Sequence, residues 1–598
     1  MESSTAGERS FMERAYTACE RFTESKARCL VLSCALSLVV ILVGTVAWYP
    51  VDANDDFYMA MALSGVWGQN EGLCLFINAL MSQIIFFLNT AVPVGNWYAL
   101  LELLTAFLSL STLIYLLLTR VSLPYASMVT MAALAFTIPG VTWESNFTFV
   151  SILSIGAGGM AILMSLREQR HRASLVVLGL AFLCLGYIWR YEVFLLCIPA
   201  FGIAALVYVL SDGRRDLTVP KSLARLWPFL VALCLAGACF AYDVMAWQQE
   251  PWRDWVEFSN ARSLLFDYPL KDYEEIADEL NALGVSENDY AMLDMSITDD
   301  PDFFTTDLVE DVAEVATIDL FTPQRLAVSV ESYFTRTFVD VRFLVILALA
   351  IVVALATTRG PTRRRIFAFM VLALVLSIVF AVIGRIPHRV HYPIWLFSFI
   401  AASLFVPRVA VPRSGHARDD VVRTGAARAV VGIASSAGVL AVSVAIIAFS
   451  AMNFSAERLE ATYMPRTFEP DSTVIAYLDE HPENVYAFST CRDIRFSYML
   501  RGLPDHDVAY RMPSFGGWVS RAPYREEANR ELGMTNMLKD LVDNDSALLI
   551  WRGKDNPDIL LTYLREHYYP NCTYELVDRI ESDSTQATLR VYKFSAGS

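Results

Sequence analysis

Long apolar runs separated by short polar segments fill most of the first 450 residues. About eleven of these runs reach the roughly 17 to 25 residues that a membrane-crossing helix needs. They lie near 29–49, 97–119, 122–141, 147–166, 173–189, 191–210, 225–247, 341–358, 366–384, 391–409 and 427–450. The charged leader 1–28 and the first run are both too long for a typical cleaved signal peptide, which predicts an uncleaved first span.

A further apolar run, GLCLFINALMSQIIFFLN at 72–89, either crosses the membrane or lies on it, and the loop charges decide between the two. Cytoplasmic loops are rich in Arg and Lys. If the N-terminus is cytoplasmic, a crossing here would place four basic loops outside, whereas without it all four lie inside. These loops are 167–172, 211–217, 357–365 and 413–423. The run is therefore predicted to be a surface helix, which makes 51–97 a first outer loop with two surface helices.

Two larger polar regions are predicted on the same outer side. Residues 248–340 form a large acidic loop, and 453–598 form a polar tail that ends outside. The tail alternates strand-like stretches (NVYAFS, SALLIW, ATLRVYKF) with a helix-like one, PDILLTYLREHY, which predicts a small α/β domain. The predicted fold is a polytopic α-helical membrane protein with about 11 transmembrane helices over 29–450 and an extracytoplasmic α/β C-terminal domain.

Composition narrows the function classes. The chain of 598 residues is 55% hydrophobic, which is typical of a polytopic membrane protein in contact with lipid. Its net charge of −16 argues against a nucleic-acid partner. The sequence contains no P-loop, GxGxxG or HExxH motif, so it offers no ATPase or zincin signature. Cys491 and Cys572, both in the polar tail, either pair in an oxidising compartment or remain two free thiols.

The segment VDANDDFYMAMALSGVWG follows the first span directly and places Asp55 and Asp56 at the membrane surface. Two interpretations are open. In the first, Asn54 or Asp55 caps a helix, whose first turn favours acidic side chains. In the second, a carboxylate is held at the lipid–water boundary for chemistry, because ionisable groups at that depth are usually functional.

The predicted outer turns contain several more ionisable residues. Each of them alone is explained as an interfacial anchor. Together with the acid pair they suit a lipid phosphate, because the Arg fork binds two phosphate oxygens and a nearby carboxylate can act as a general base. Arg and His would neutralise charge on the departing phosphate. The predicted substrate-binding residues are Arg190, Glu192, Arg385, His388, Arg389, Arg262 and Glu144, with His391 close by.

A second acidic cluster, SITDDPDF, lies in the large outer loop and contains Asp299, Asp300 and Asp302. It fits either a turn before a helix or a metal site. The alternating oxygen ligands of a calcium loop are absent, so the turn is favoured. No metal and no cofactor are predicted.

The layout of the first 250 residues resembles the GT-C superfamily of membrane glycosyltransferases, and the later residues resemble it more weakly. An acidic pair in the first outer loop is followed by an amphipathic helix, an apolar surface helix and a span entered through GNWYALLEL. NDDFYMAMALSGVWG is also similar to the starts of bacterial multi-span proteins of glucosyltransferase type. The chain departs from many members in having Asp-Asp instead of Glu or Asp-Glu, which leaves the substrate class open.

The resemblance implies an inverting transfer of a sugar from a polyprenyl-phosphate carrier to a cell-surface glycan, lipid or protein. Asp56, or else Asp55, would be the catalytic base, and the location would be the outer face of a bacterial plasma membrane. Two other functions are open. The same arginines would serve a lipid-linked glycan flippase, exporter or polymerase, although such transporters usually show two related halves. A non-catalytic anchor is the third function, but one span suffices for that.

Overall fold

The computed structural model describes residues 18–47, 55–67, 72–142, 146–168, 170–211, 223–266, 268–318, 322–338, 341–384, 386, 388–408, 472–488, 510–513, 516–552, 556–582 and 588–597.

Helices account for most of these residues. The first part contains α1 (Lys26–Ala47), α2 (Asp55–Ser64), α3 (Ala79–Ala91), α4 (Trp97–Arg120), α5 (Leu123–Thr142), α6 (Phe147–Arg167), α7 (Arg172–Trp189), α8 (Tyr191–Ser211) and α9 (Trp227–Trp247). The acidic segment contains α10 (Trp252–Phe266), α11 (Ala277–Ala282), α12 (Glu287–Asp294), α13 (Thr306–Ala316) and α14 (Pro323–Ser332). Then follow α15 (Val341–Thr357), α16 (Gly360–Val382) and α17 (His388–Ala402). The C-terminal part contains α18 (Ser472–Glu480), β1 (Val485–Phe488), α19 (Pro523–Glu531), α20 (Met537–Asp543), β2 (Ala547–Trp551), α21 (Asp558–His567), β3 (Thr573–Glu581) and β4 (Thr588–Ser595).

Six helices in the described part of the chain are long and apolar enough to cross a membrane. They are α4, α6, α7, α8, the helix Ala224–Trp247 that contains α9, and α16. The helices α1, α5, α15 and α17 coincide with four more of the predicted runs, and the run at 427–450 lies outside the described residues. The chain is a membrane protein, whereas the predicted total of about 11 spans stays a prediction.

Glycines bring α6 and α7 into close contact. A Cβ at Gly158 would lie 2.7 Å from the backbone N of Leu183 and 2.8 Å from the carbonyl O of Gly179. The Ser151 hydroxyl donates a 2.8 Å hydrogen bond to the Gly186 carbonyl along the same contact. Small residues allow such close approach between membrane helices, where packing rather than the hydrophobic effect drives association.

Replacing Gly158 with Ala is expected to force α6 and α7 apart, because the added methyl group meets backbone atoms that cannot move aside. We expect a loss of about 1–3 kcal/mol, as in other overpacked cores. Thermal unfolding of the detergent-purified protein measures it. Gly202→Ala in α8 is the matched control, since a Cβ there meets nothing within 4 Å. Equal effects of the two substitutions would contradict the proposed close packing.

Both ends of α3 lie at the same end of the helix bundle. The helix has 13 residues, about 20 Å at 1.5 Å per residue, which is shorter than the roughly 30 Å apolar core of a bilayer. Before it, the Asn78 N–H donates to the Ile188 carbonyl at the end of α7 (3.0 Å). Near its end, the Asn89 side chain accepts from the Trp97 N–H at the start of α4 (3.0 Å). This helix covers only the second half of the 72–89 run, because residues 72–78 form an irregular loop. Both contacts suit a helix lying across the bundle end; its place at the outer surface stays a prediction.

Arginines collect at the opposite end of the bundle. There they bind the carbonyl groups that end the helices, a favourable pairing with the negative pole of the helix dipole. Arg167 donates to the Arg120 carbonyl (3.3 Å), Arg225 to the Leu166 carbonyl (2.7 Å) and Arg408 to the Leu118 carbonyl (2.8 Å). Arg120 also pairs with Glu168. Arginines that bind helix-terminal carbonyls therefore lie at one end of the bundle, and Asp55 and Asp56 lie at the other.

The C-terminal residues form a four-stranded sheet in the order β1-β2-β4-β3. Strands β1 and β2 are parallel and the other pairs are antiparallel. The small sheet predicted for the tail is confirmed, and NVYAFS, SALLIW, ATLRVYKF and PDILLTYLREHY correspond to β1, β2, β4 and α21. The strand β3 was not predicted, and its side chains are mostly exposed. Cys572 is a buried free thiol, while Cys491 lies outside the described residues, so a pairing of the two stays a prediction.

The acidic segment packs against this sheet. Its helices α10, α12 and α13 share one apolar core with β1, β2, α20 and α21. Residues 252–316 and the C-terminal sheet therefore form one packed unit, called the outer unit after the side of the membrane that the sequence predicts for it.

Candidate functional site

Asp56 is fixed at the end of the bundle by two helices that are distant in sequence. Its side chain is only 2% exposed. The Tyr98 hydroxyl at the start of α4 donates to its Oδ1, and the Phe147 N–H at the start of α6 donates to the same oxygen (3.0 Å). The partners are 42 and 91 residues away. A simple helix cap would bind N–H groups of its own helix, so the cap interpretation does not account for these bonds.

The two donors are themselves placed by asparagine caps. The Asn96 side chain accepts from the Tyr98 N–H (3.1 Å), and the Asn146 side chain accepts from the Thr148 N–H (2.7 Å). Asp56 also lies in the first turn of α2. The N-termini of α2 and α6 thus meet at this carboxylate, and their dipoles favour its negative charge, while α4 reaches it through the Tyr98 hydroxyl. Asp55, 9% exposed, lies in the same first turn.

Arg190 lies between α7 and α8, close to these acids. It donates to the Thr148 hydroxyl (2.7 Å), and its guanidinium stands 4.8 Å from the centre of the Phe147 ring. Its Nε is 3.5 Å from the carboxylate of Glu192. Thr148 and Phe147 begin the helix whose first N–H binds Asp56, so one turn of α6 connects the carboxylate with the guanidinium.

Electrostatic interactions connect Arg190 with four other charged residues. Burial is the largest effect and lowers the pKa of Arg190; Glu192 opposes it, Arg389 lowers the pKa further, and Asp55 and Asp56 act to raise it. Arg stays protonated under all ordinary conditions. The consequence is a half-buried cation beside three acids and a second arginine.

The loop before α3 lies against the acids. Burial, and after it the charges of Asp55 and Asp56, raise the pKa of the buried Cys74 thiol well above its ordinary value. Burial raises the pKa of Tyr524 in the outer unit, and the nearby Cys74 thiol raises it further. The loop 72–78 is therefore placed between the acids and the outer unit.

The outer unit contacts α2 through aromatic side chains. Trp518 meets Tyr58 edge to face at 6.1 Å, and Tyr524 stacks on Trp67 at 5.8 Å. The Arg525 guanidinium lies 5.6 Å from the Trp67 ring centre. Aromatic pairs of this kind add to the stability that burial alone provides, so the segment 516–525 is held firmly over the helix that contains Asp55 and Asp56.

The second acidic cluster holds this segment in place. Asp299 accepts from the Gly516 N–H (2.7 Å) and from the Ser520 hydroxyl (2.8 Å), and burial raises its pKa. Asp300 accepts from the Tyr563 hydroxyl (2.6 Å) and, in a turn, from the Asp302 N–H (2.9 Å). The turn that the sequence favours is present. The carboxylates of this turn accept hydrogen bonds from the C-terminal residues of the outer unit.

One group of the described residues has the ligand types of a metal site: Asp289, Glu566 and His567, with ligand atoms within 4.8 Å of one another. Hydrogen bonds already connect its members. His567 Nε2 is 2.9 Å from Asp289, and Ser286 donates to both acids, through its N–H to Asp289 (3.0 Å) and its hydroxyl to Glu566 (2.9 Å). The group joins α12 to α21 across the outer unit.

This contact is expected to weaken as pH rises. Burial acts to lower the pKa of His567, but the hydrogen bond and charge of Asp289 outweigh it, and the pKa is raised above its ordinary value. A raised histidine pKa stabilises the fold fully below about pH 6.5, and that contribution is lost as pH rises through the raised value. We expect a melting temperature about 2–4 °C lower at the alkaline end.

Thermal unfolding between pH 5.5 and 9 measures this effect. His567→Gln should flatten the pH profile, while His481→Gln, at a half-exposed side chain shortly before β1, should leave it unchanged. A chelator that lowers the melting temperature of the native protein but not that of His567→Gln would contradict the proton-linked contact and indicate a metal site instead.

The predicted binding residues fall into three groups. Arg190, Glu192 and Arg389 come together with Asp55 and Asp56. Arg262 is buried in the outer unit, where it donates to the Ser296 hydroxyl (2.8 Å), and the Ser296 carbonyl in turn accepts from the Gly517 N–H (2.8 Å). Glu144, Arg385 and the side chain of His388, the first residue of α17, lie outside the described residues, so their roles stay predictions.

Several site residues were not singled out from the sequence: Tyr98, Phe147, Thr148 and Trp518. The sequence contains a signal for two of them, since NWY and SNF each place an Asn cap directly before an apolar helix. His391, close to the predicted set, is buried and lies 3.1 Å from the Tyr333 hydroxyl.

No family model matches the chain, and no curated protein matches it. Two solved structures are similar: crystal structures of ArnT from Cupriavidus metallidurans bound to undecaprenyl phosphate and in the apo state. Their sequence identities are 12% and 13%, and each alignment has a TM-score of 0.35 over 94% of this chain and 97% of ArnT.

Proposed function

We propose that this protein is a membrane glycosyltransferase that moves a sugar from a polyprenyl-phosphate carrier to an acceptor hydroxyl. One observation supports this above the others: a buried carboxylate, Asp56, is held by donors from α4 and α6 and lies within electrostatic range of Arg190. A fixed base beside a half-buried cation is the pair of groups that this transfer needs.

In the proposed reaction, Asp56 removes the proton from the acceptor hydroxyl as its oxygen attacks the anomeric carbon of the donor sugar. The bond between that carbon and the phosphate oxygen breaks, and polyprenyl phosphate leaves. Arg190 and Arg389 neutralise the growing charge on the phosphate. Asp56 is preferred to Asp55 because two donors fix its position; direct attack from the opposite face inverts the anomeric configuration.

The position of the site supports a lipid-linked donor. Arg190 follows the last residue of α7, where a spanning helix meets the headgroup region and a lipid phosphate is within reach. The positive-inside rule assigns the arginine end of the bundle to the cytoplasm. The acids, the outer unit and the reaction are then extracytoplasmic, at a bacterial plasma membrane.

The acceptor would enter between the bundle and the outer unit. Segment 516–525 packs on α2 beside the acids and is bonded to the acidic segment through Asp299. We propose that this unit selects the acceptor, a glycan, lipid or protein of the cell envelope, and that Arg262 serves it as a positioning residue through Ser296.

The test compares cells lacking the native gene that express the native protein, Asp55→Asn or Asp56→Asn at equal levels. Surface glycans and polyprenyl-phosphate sugars are measured by mass spectrometry. We expect Asp56→Asn to remove one sugar from the glycans and to build up its lipid-linked donor. Asp307→Asn, an exposed acid in the first turn of α13, is the control. Unchanged glycans and carrier lipids in both variants would overturn the proposal.

A further inference from the structure

Phe76, in the loop between α2 and α3, has an unusual backbone. Its φ angle is +73°, in the left-handed region that bulky side chains rarely adopt. Glycine would adopt this conformation without strain. Strained residues of this kind persist where the surrounding structure holds them, and they are concentrated at functional sites.

The ring of Phe76 is also exposed at a place where its neighbours are not. It is 36% exposed, while Phe147 and Trp518 are 0% and 7% exposed. Its ring stacks on Phe147 at 6.3 Å and 22°, and meets Trp518 edge to face at 5.1 Å and 76°. One part of the ring is fixed by these contacts, and the rest is available to a ligand.

The exposed ring of Phe76 lies next to the residues that surround Asp56 and Arg190. Phe147 provides the N–H that binds Asp56 (3.0 Å), and its ring lies 4.8 Å from the Arg190 guanidinium. Phe76 contacts the Phe147 ring on one side and the Trp518 ring of the outer unit on the other. These side chains therefore follow one another from Arg190, the proposed phosphate-binding residue, past Asp56, the proposed base, to Trp518 of the outer unit.

We propose that Phe76 is a substrate-contact residue whose exposed ring packs against the apolar face of a pyranose ring held beside Asp56. This inference rests on the proposed function and names the surface that positions the sugar. A pyranose has hydroxyl groups at its edge and C–H groups on its faces, so a flat aromatic ring suits its face. A prenyl chain would instead lie among the spanning helices, away from Trp518.

Three substitutions separate the effect of the aromatic ring from the effect of the backbone strain at residue 76. Phe76→Tyr keeps the ring, Phe76→Ala removes it and keeps the strain, and Phe76→Gly removes both. If the ring serves the substrate, the Ala and Gly variants lose activity equally. The Gly variant should nevertheless melt at a higher temperature than the Ala variant, because glycine adopts the positive φ freely.

The measurement is steady-state transfer by protein reconstituted in vesicles that contain extracted polyprenyl-phosphate sugars. We expect kcat/KM to fall about 10-fold or more in Phe76→Ala and Phe76→Gly, and less than about twofold in Phe76→Tyr, in line with the loss of one apolar contact. A higher KM for the donor assigns the bound pyranose to the donor, and a higher KM for the acceptor assigns it to the acceptor.

Two comparisons keep the inference separate from the proposed function. Phe87→Ala, at an exposed Phe on α3, is the matched control and should transfer normally. If Asp56→Asn is inactive and Phe76→Ala behaves like Phe87→Ala, the role of Phe76 is overturned while the enzyme proposal stands. If Asp56→Asn transfers at the native rate, the proposed function fails, and the inference with it.

Discussion

Asp56→Asn is expected to lower kcat by about 10²–10⁴-fold, the usual contribution of a general base. Asparagine has the same shape, and its side-chain oxygen still accepts from the Tyr98 hydroxyl and the Phe147 N–H, the two donors that hold the aspartate. The contacts between α2, α4 and α6 therefore remain. The neutral amide cannot take a proton from the acceptor, so the loss falls on the chemical step.

Single-turnover transfer by the reconstituted variant measures this loss, and size-exclusion chromatography confirms that the variant is folded. Tyr98→Phe is the companion variant. It removes one donor that favours the charged carboxylate, so we expect about a 10-fold fall in kcat and an acidic limb of the pH–rate profile that moves to higher pH. A folded Asp56→Asn protein with native kcat would exclude Asp56 as the base, and a loss confined to Asp55→Asn would assign that role to Asp55.

Arg190→Ala is expected to lower kcat/KM by about 10²–10³-fold, the effect of removing one group that stabilises transition-state charge. The half-buried guanidinium bonds to Thr148 and lies over Phe147, so its direction is set before a phosphate arrives. Removing it leaves Asp55 and Asp56 with less opposing positive charge. A lipid phosphate should then bind more weakly and leave more slowly.

Arg190→Lys separates charge from geometry. Lysine keeps the positive charge but lacks the planar fork and the stacking on Phe147, so we expect activity between native and Arg190→Ala. Arg253→Ala is the control, because that arginine is 46% exposed and pairs with Glu250 on the outer unit. Donor kinetics at fixed acceptor concentration decide the outcome. Equal activities of Arg190→Ala and Arg253→Ala would contradict a phosphate-binding role.

The periodic features of the chain could be predicted from its sequence. Apolar runs identified the spanning helices because a bilayer sets their length. Strand-like apolar stretches in the tail identified β1, β2 and β4, and β1 and β2 are buried along their whole length. Loop charges predicted that the 72–89 run does not cross the membrane. The helix found there, α3, has 13 residues and ends at Ala91, with Asn89 bonded to the start of the next span; its place relative to the membrane stays a prediction. The strand β3 was missed because most of its side chains are exposed and show no clear alternation.

The partners of the acids could not be predicted in this way. Asp56 meets Tyr98 and Phe147 across 42 and 91 residues, and local patterns contain no information about such pairings. Arg262 shows the same limit, because it follows a span in sequence but is buried in the outer unit on Ser296. Tertiary packing decides both, since each partner lies far away in the sequence.

The fate of the carrier lipid tests the proposed sugar transfer most directly. Vesicles containing the purified protein and polyprenyl-phosphate sugars are given an envelope acceptor, and the release of free polyprenyl phosphate is measured. We predict release by the native protein and by Asp307→Asn, and almost none by Asp56→Asn. Movement of the intact lipid-linked sugar across the bilayer, without release of polyprenyl phosphate and without dependence on Asp56, would contradict the account and identify a flippase.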